Sequence, residues 1–334
     1  MNDTSPLLKV IPKRKLNMNF DKNPHRPIGI GGSDIAALLG LSPYKTPLEL
    51  WAEKVGHPGL KASQGIHLRF GQHVEPFIAK EYERSTGQKT YTHNEPLFHP
   101  LHDFMYGHID RFVTPVGQSI YLENEVLNTD TLLECKTASV YNRDQWGEPG
   151  TEQVPTNYLL QCAWYLAITG CTKADIAVLL GNQDFRIYRI TRDIELENML
   201  IDRAKNFWQK YVIPLVPPEA QSVNDVRILY PYDKSGEKAQ SSQELYESFR
   251  RYHTLNEELS HISDELEVIK KQIMQSMGSA QELTYEGKVL ATWKNTKPAK
   301  RLDTQSLKAS FPDVCEQFMV EGVVSRRFCV KEGV

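Results

Sequence analysis

The sequence lacks a long hydrophobic run, a paired-cysteine motif and an excess of charge of one sign. No stretch approaches the ~18 apolar residues that a membrane helix needs, and residues 1–15 lack the continuous apolar core of a secretory signal. The five cysteines form no CxxC pair, which is typical of reduced thiols in the cytoplasm and not of a disulfide framework or a zinc site. The net charge is only −3, so any nucleic-acid binding requires local positive charge.

A length of 334 residues exceeds that of an ordinary single domain, and 40% hydrophobic with 24% charged residues is typical of a globular protein. Composition and proline-rich boundaries predict four segments. These are a flexible basic arm over residues 1–24, an α/β domain over 25–222, a linker with a long helix over 223–280, and a small basic α+β module over 281–334.

The predicted α/β domain rests on alternating helix and strand signals. Capping residues and apolar spacing predict three helices between Ser33 and Ile78. Residues 90–136 are then typical of a meander of antiparallel strands, one of which spans residues 105–113. A helix over residues 154–169, two further strands and a closing helix complete the pattern, which favours an α/β fold.

The C-terminal third has a different pattern. Apolar residues over 241–277 step by threes and fours, but the spacing slips register near Leu259, so the pattern does not guarantee a long coiled coil. Such a helix is more often a packing or oligomer element than a functional one. Residues 284–331 contain nine Lys or Arg against five Asp or Glu, which suits phosphate contacts or a solvated basic face equally well.

Acidic groups at strand ends carry the most chemical information. Asp110 ends the segment Gly107-His-Ile-Asp110, and Glu134-Cys135-Lys136 lies in an apolar run. Side chains alternate along a strand, so Glu134 and Lys136 point one way and Cys135 the other. Two unpaired buried carboxylates cost several kcal/mol, whereas Mg²⁺ held by Asp110, Glu134 and the Cys135 carbonyl explains the arrangement. Lys136 would then orient the nucleophile or stabilise the transition state. On these residues alone, a solvated sheet edge is the more common explanation.

Three further features point in the same direction, each with a plainer alternative. Glu75 lies on the helix before the sheet, as another metal-facing acid or a surface residue. Gln161 and Tyr165 share one helical face, which is also typical of a boundary stripe. Arg26 and Ser33 flank a glycine-rich stretch ahead of a helix, which suits a terminal phosphate or an ordinary capped helix.

Taken in order, these motifs resemble the YqaJ viral recombinase family, which groups with the lambda-phage exonuclease in the PD-(D/E)xK nuclease superfamily. The resemblance covers about residues 26–331. It rests on Gly31-Gly32-Ser33-Asp34, Gly71-x-x-x-Glu75, Gly107-x-x-Asp110, Glu134-Cys135-Lys136 and Gln161-x-x-x-Tyr165. The superfamily's proline before the first aspartate is absent, because Ile109 precedes Asp110. Proline contributes no ligand, so its loss removes only a clue.

The resemblance implies a fold and an activity. The fold is a restriction-endonuclease-like α/β core with a central mixed sheet flanked by helices, followed by the long helix and the C-terminal module. The activity is that of a Mg²⁺- or Mn²⁺-dependent deoxyribonuclease, which trims duplex DNA from a free 5' end and exposes a 3' overhang. A single-strand annealing protein would use that overhang for recombination, and lambda-type exonucleases are homo-oligomers in the form of ring trimers.

The resemblance also implies roles for individual residues. Asp110 and Glu134 would be metal ligands, Lys136 the catalytic lysine, Glu75 a supporting acid and Gln161 a contact to the catalytic water or DNA. The residues expected to bind DNA or its 5' phosphate are Arg26, Ser33, Thr137, Ser139 and Tyr165.

Two alternative functions stay open on the sequence. An endonuclease of the same fold would need no terminal phosphate and would cut closed circular DNA. A DNA-binding recombination protein with a decayed site is the second alternative, and the joint presence of Asp110, Glu134 and Lys136 argues against it. An adhesive coiled-coil protein is disfavoured because the helix over 241–277 is too short and irregular.

Overall fold

The computed structural model describes residues 8–9, 29–58, 60, 65–114, 122–123, 126–127, 129–297, 302–320 and 326–331. The chain divides into two compact units, Met1–Pro231 and Tyr232–Val334. Among the described residues, no helix combines the length and apolar character that crossing a membrane requires.

The first unit contains ten strands and six helices among its described residues. The strands are β1 (Leu8–Lys9), β2 (Thr90–Tyr91), β3 (Leu97–His99), β4 (His102–Gly107), β5 (Arg111–Val113), β6 (Leu122–Glu123), β7 (Val126–Leu127), β8 (Thr131–Ala138), β9 (Lys173–Leu180) and β10 (Asp184–Thr191). The helices are α1 (Ile35–Leu38), α2 (Pro47–Val55), α3 (Ile66–Thr86), α4 (Thr156–Thr169), α5 (Ile194–Phe207) and α6 (Val223–Leu229).

A five-stranded sheet with the order β10-β9-β8-β5-β2 forms the centre of this unit. Strands β8 and β9 run parallel, and the other neighbours are antiparallel. Helix α4 makes the crossover between the two parallel strands, as a parallel pair requires. The α/β class and the mixed sheet flanked by helices are therefore confirmed.

Helices cover both faces of the central strand β8. On one face Leu133 and Cys135 pack with Ile78 and Tyr82 of α3. On the other face Leu132 joins the larger core, which includes most of α4. A strand buried on both faces needs an apolar run, so the polar Glu134 inside that run is a local exception.

The expectation of one antiparallel meander over residues 90–136 is wrong. Strands β3 and β4 form a separate hairpin, and β1, β7 and β6 form a separate three-stranded sheet. The strand expected over 105–113 is interrupted after Gly107, because β4 leaves the central sheet. Met105 bridges to Ile30, and the Tyr106 carbonyl accepts a hydrogen bond from Trp164 Nε1 at 3.0 Å. The interruption places Asp110 directly ahead of β5.

Helix α6 lies beyond the predicted boundary at residue 222 and contacts the N-terminal end of α2. Thr46 Oγ1 donates a hydrogen bond to Asp225 Oδ1 at 2.7 Å, and Asn224 Nδ2 donates to Glu49 Oε1 at 2.7 Å. Most of the predicted arm over residues 1–24 lies outside the described residues. The four segment boundaries stay a prediction.

The second unit is built on one long helix. Its described elements are α7 (Gln243–Met277), the antiparallel hairpin of β11 (Glu282–Tyr285) and β12 (Lys288–Thr292), and two short helices, α8 (Thr304–Ser310) and α9 (Pro312–Gln317). Ser242 caps α7 by accepting a hydrogen bond from the Leu245 amide, and Gly278 follows its last residue. A long helix with a small α+β module agrees with the pattern expected from the sequence.

Candidate active site

Two acidic residues and a lysine meet where β5 and β8 lie side by side. Strand pairing sets Arg111 opposite Leu133, which brings Asp110 next to Glu134. The backbone amide of Cys135 donates a hydrogen bond to Asp110 Oδ2 at 2.8 Å, and Lys136 Nζ lies 2.5 Å from Glu134 Oε1. The alternation expected along this strand is present, because Glu134 and Lys136 share one face.

Helix α4 supplies the next layer of contacts. Gln161 Nε2 donates hydrogen bonds to Glu134 Oε1 at 2.6 Å and to the Tyr165 hydroxyl at 2.9 Å. Tyr165 is buried, so its observed contact to the site runs through Gln161. Its ring lies in a slot between two glycines, since a Cβ would stand 2.3 Å from the ring at Gly32 and 2.9 Å from it at Gly107. This explains why both motifs require glycine.

Glu75 of α3 faces the same strand junction through an ion pair. Arg111 Nη1 lies 2.5 Å from Glu75 Oε1 and also donates a hydrogen bond to the backbone carbonyl of Asp110. Arg111 is not among the site residues predicted from the sequence, although it directly follows Asp110. Its guanidinium ties α3 to the start of β5.

An aromatic column stands behind Lys136. The Lys136 ammonium lies 5.2 Å from the centre of the Tyr158 ring, within the range of a cation–π contact. Trp146 stacks on Tyr158 with ring centres 5.5 Å apart, and the Trp146 and Tyr188 rings are tilted with centres 5.3 Å apart. The Tyr188 hydroxyl donates to the Gly147 carbonyl at 2.8 Å, which fixes the end of the column.

Burial and mutual repulsion set the charges of the cluster. Burial raises the pKa of Asp110 well above its usual range, and the Glu134 carboxylate raises it further. Burial also raises the pKa of Glu134, although Lys136 and Gln161 oppose the change. Burial alone would lower the pKa of Lys136, but the carboxylates of Glu134 and Asp110 outweigh it and raise that pKa.

The cluster fits a hard divalent cation. Glu134 Oε2 is buried without a hydrogen-bond partner among the described residues, a costly state unless something else binds it. In that part of the chain, no group of three or more His, Cys, Asp or Glu side chains is arranged to hold a metal. Mg²⁺ does not need one, because it commonly binds one or two carboxylates and keeps waters or substrate phosphates. Asp110, Glu134 and the Cys135 carbonyl are suitable oxygen donors.

The residues expected to bind DNA are placed less uniformly. Ser33 is exposed in the turn Gly32–Asp34, and Thr137 is half-buried on β8. Ser139 is exposed, and its hydroxyl accepts a hydrogen bond from the Tyr141 amide at 3.3 Å. Arg26 lies outside the described residues. The DNA-binding roles of these residues stay predictions.

Comparison with known proteins identifies the family. The YqaJ-like viral recombinase domain matches residues 23–172, which include every motif from Arg26 to Tyr165. The Bacillus subtilis (strain 168) protein YqaJ is 32% identical over 335 residues, covering 98% of this chain and 99% of its own. The chain belongs to the YqaJ family.

Solved structures similar to this YqaJ family member include two exonucleases. The alkaline exonuclease of Laribacter hongkongensis has a TM-score of 0.42 and 16% identity, and the match covers 55% of this chain and 87% of that one. A phage-related exonuclease of Haemophilus somnus 129PT has a TM-score of 0.40 and 14% identity, covering 56% of this chain and 95% of that one.

Proposed function

We propose that this chain is a Mg²⁺- or Mn²⁺-dependent deoxyribonuclease that digests linear duplex DNA from the 5' end. The observation that carries the proposal is the cluster of half-buried Asp110, buried Glu134 and half-buried Lys136, in which one oxygen of Glu134 lacks a partner among the described residues. A site that served only to stabilise the fold would have little reason to place a second carboxylate beside a buried one. Membership of a viral recombinase family supports DNA as the substrate.

Each residue of the cluster has a part in the proposed reaction. Asp110, Glu134 and the Cys135 carbonyl would hold the cation, with Glu75 as a supporting acid. When bound, the cation would lower the pKa of a water and neutralise charge on the scissile phosphate. Lys136 places a positive charge beside the reacting phosphate, and Gln161 orients the water or the DNA from α4.

The surrounding residues and partners complete the proposal. Arg26 and Ser33 hold the terminal 5' phosphate. Thr137 and Ser139, at the C-terminal end of β8, contact the DNA strand. Tyr165 supports the site from within its glycine slot. The product, a 3' overhang, suits a single-strand annealing protein in the cytoplasm. The solved structures named above are described as exonucleases, and digestion from an end is proposed here for this chain.

The decisive experiment compares DNA topologies. Linear duplex with a 5' phosphate, linear duplex with a 5' hydroxyl and closed circular duplex are incubated with the protein in Mg²⁺ or in EDTA. We expect loss of linear DNA only, faster with the 5' phosphate and absent in EDTA, and a label at the 5' end is released before one at the 3' end. Cutting of the circle would instead indicate an endonuclease, and binding without cutting would indicate an inactive DNA-binding protein.

The aromatic column predicts a measurable effect of Tyr158. Replacing Tyr158 by Leu removes the ring beneath the Lys136 ammonium, and we expect kcat to fall roughly 10- to 30-fold, the equivalent of a desolvated cation–π contact of about 2 kcal/mol. KM for linear DNA should change little, because Tyr158 is half-buried beside the lysine. Tyr158→Phe keeps the ring and should retain most of the rate. Equal losses in the two variants would show that the ring face does not position Lys136.

A further inference from the structure

Helix α7 carries an apolar seam that follows a seven-residue repeat. The seam consists of the a and d positions Leu245, Ser248, Tyr252, Leu255, Leu259, Ile262, Leu266, Ile269, Ile273 and Ser276. The register slip expected near Leu259 is absent once Leu255 is counted, because Leu255 fills the d position between two a positions. Phe249, which the stepping pattern includes, lies one position off the seam and is half-buried.

The rest of the second unit leaves most of this seam uncovered in the part of the chain that the structure describes. Leu259 and Leu266 are 60% and 61% exposed, and Met277 is the buried residue of α7. Trp293, after β12, lines a groove with Glu267, Lys271 and Met274, which lie on other flanks of the helix. Near the other end, the Phe328 ring meets the Tyr252 ring edge-on at 6.2 Å between centres.

The repeat specifies what kind of surface can cover the seam. An apolar repeat of seven residues drifts around a straight α-helix, and the drift is compensated when helices supercoil around one another. A 35-residue helix is about 52 Å long, enough for more than four heptads. Eight large apolar side chains, each about half exposed, offer on the order of 600 Å² per helix, so two copies reach the ~1,200 Å² typical of a specific interface.

Charge and side-chain shape favour assembly of α7 with parallel copies of itself over antiparallel assembly. In a parallel arrangement Glu265 at g faces Lys270 at e of the neighbouring copy, and no like charges meet at these flanking positions. An antiparallel arrangement in which the two seams overlap along their full length sets Glu258 near Glu265 of the other copy, a pair of like charges. Leu259 and Leu266 at a combine with Ile262 and Ile269 at d, a choice that favours more than two strands.

We propose that α7 assembles with copies of itself into a parallel coiled coil of about three or four strands. This proposal rests on the seam alone and is independent of the proposed nuclease activity.

Disulfide trapping tests the proposal directly. Ser276 at d would face its own copies across the seam, whereas Ser260 at b points away from it. Each serine is changed to Cys in a separate variant. Both variants also contain Cys315→Ser and Cys329→Ser, which remove the two thiols that are not buried. Under mild oxidation we expect covalent dimers on a non-reducing gel from Ser276→Cys and few from Ser260→Cys, since disulfides form only between close Cβ atoms.

Two matched variants of α7 decide whether the seam causes the trapping. Leu266 and Val268 are neighbours on the helix and similarly exposed, at 61% and 55%, but only Leu266 is on the seam. Leu266→Lys should abolish trapping at Ser276→Cys, and Val268→Lys should leave it intact. The proposal is overturned if Ser276→Cys traps no better than Ser260→Cys, or if Leu266→Lys leaves trapping unchanged. Sedimentation of the full chain with the native cysteines checks the strand number, and a mass of one or two chains would overturn it.

Discussion

Asp110→Asn is expected to abolish digestion of linear DNA and, at the same time, to raise the melting temperature of the metal-free protein. The Asp110 carboxylate is half-buried beside the buried Glu134, and desolvation and this repulsion raise its pKa well above the usual range. A neutral amide keeps an oxygen for the Cys135 amide and removes the repulsion. We expect a gain of about 1 kcal/mol, which corresponds to a few degrees, against a loss of activity of about 10³-fold or more.

The pH dependence of this gain follows from the direction of the pKa shift. A carboxyl group whose pKa is raised in the folded state is favourable while protonated, and its contribution to stability is lost as pH rises through the folded pKa. The advantage of Asp110→Asn over the wild type should therefore grow with pH above about 4, the ordinary carboxyl value.

Asp130 provides a control of opposite sign for Asp110. Desolvation raises the pKa of the exposed Asp130 carboxyl, but hydrogen bonds from Thr131 and Thr172 outweigh it and lower that pKa. Thermal melts in EDTA across pH should show no gain for Asp130→Asn. With Mg²⁺ the wild type should gain stability and Asp110→Asn should not. If Asp110→Asn melts below the wild type at neutral pH, the Asp110 carboxylate does not destabilise the metal-free site.

The candidate site was predictable from the sequence where its geometry depends on local rules. Alternation along a strand fixes that Glu134 and Lys136 share one face and that Cys135 points to the opposite face, whatever the neighbours of β8 are. Helical spacing likewise places Gln161 and Tyr165 on one face of α4. The mixed α/β core follows from the order of helices and strands together with the family resemblance.

The parts that could not be predicted depend on contacts between distant segments. The departure of β4 from the central sheet is decided by Ile30 and Trp164, which have no marker in the segment over residues 105–113. The column behind Lys136 joins Trp146 to Tyr188, 42 residues apart, so no local pattern reveals it. The pairing of Arg111 with Glu75 has the same origin, since it requires knowing that α3 lies across the start of β5.

Lys136→Met is expected to abolish activity as Asp110→Asn does, but to shift stability in the opposite direction. The Lys136 ammonium is the partner of Glu134 at 2.5 Å, and the carboxylates of Glu134 and Asp110 raise its pKa. Without it, the buried Glu134 carboxylate loses its ammonium partner beside the half-buried Asp110 carboxylate. Removing one partner of a buried pair typically costs about 3–5 kcal/mol. Protonation of a carboxyl relieves part of this cost, so the metal-free variant should lose stability progressively as pH rises.

Lys136→Arg and a double variant separate charge from chemistry. Arginine keeps the positive charge, so it should retain much of the stability but not the activity, because a planar guanidinium does not reproduce the position of the ammonium.

Asp110→Asn added to Lys136→Met removes one of the two neighbouring carboxylates. We therefore expect the double variant to melt above the Lys136→Met single variant in EDTA. Because the two sites are in electrostatic contact, their effects should not be additive, and the rescue should exceed the gain that Asp110→Asn gives the wild type. Equal gains in the two backgrounds would show that Lys136 does not balance the Asp110 charge in the folded protein.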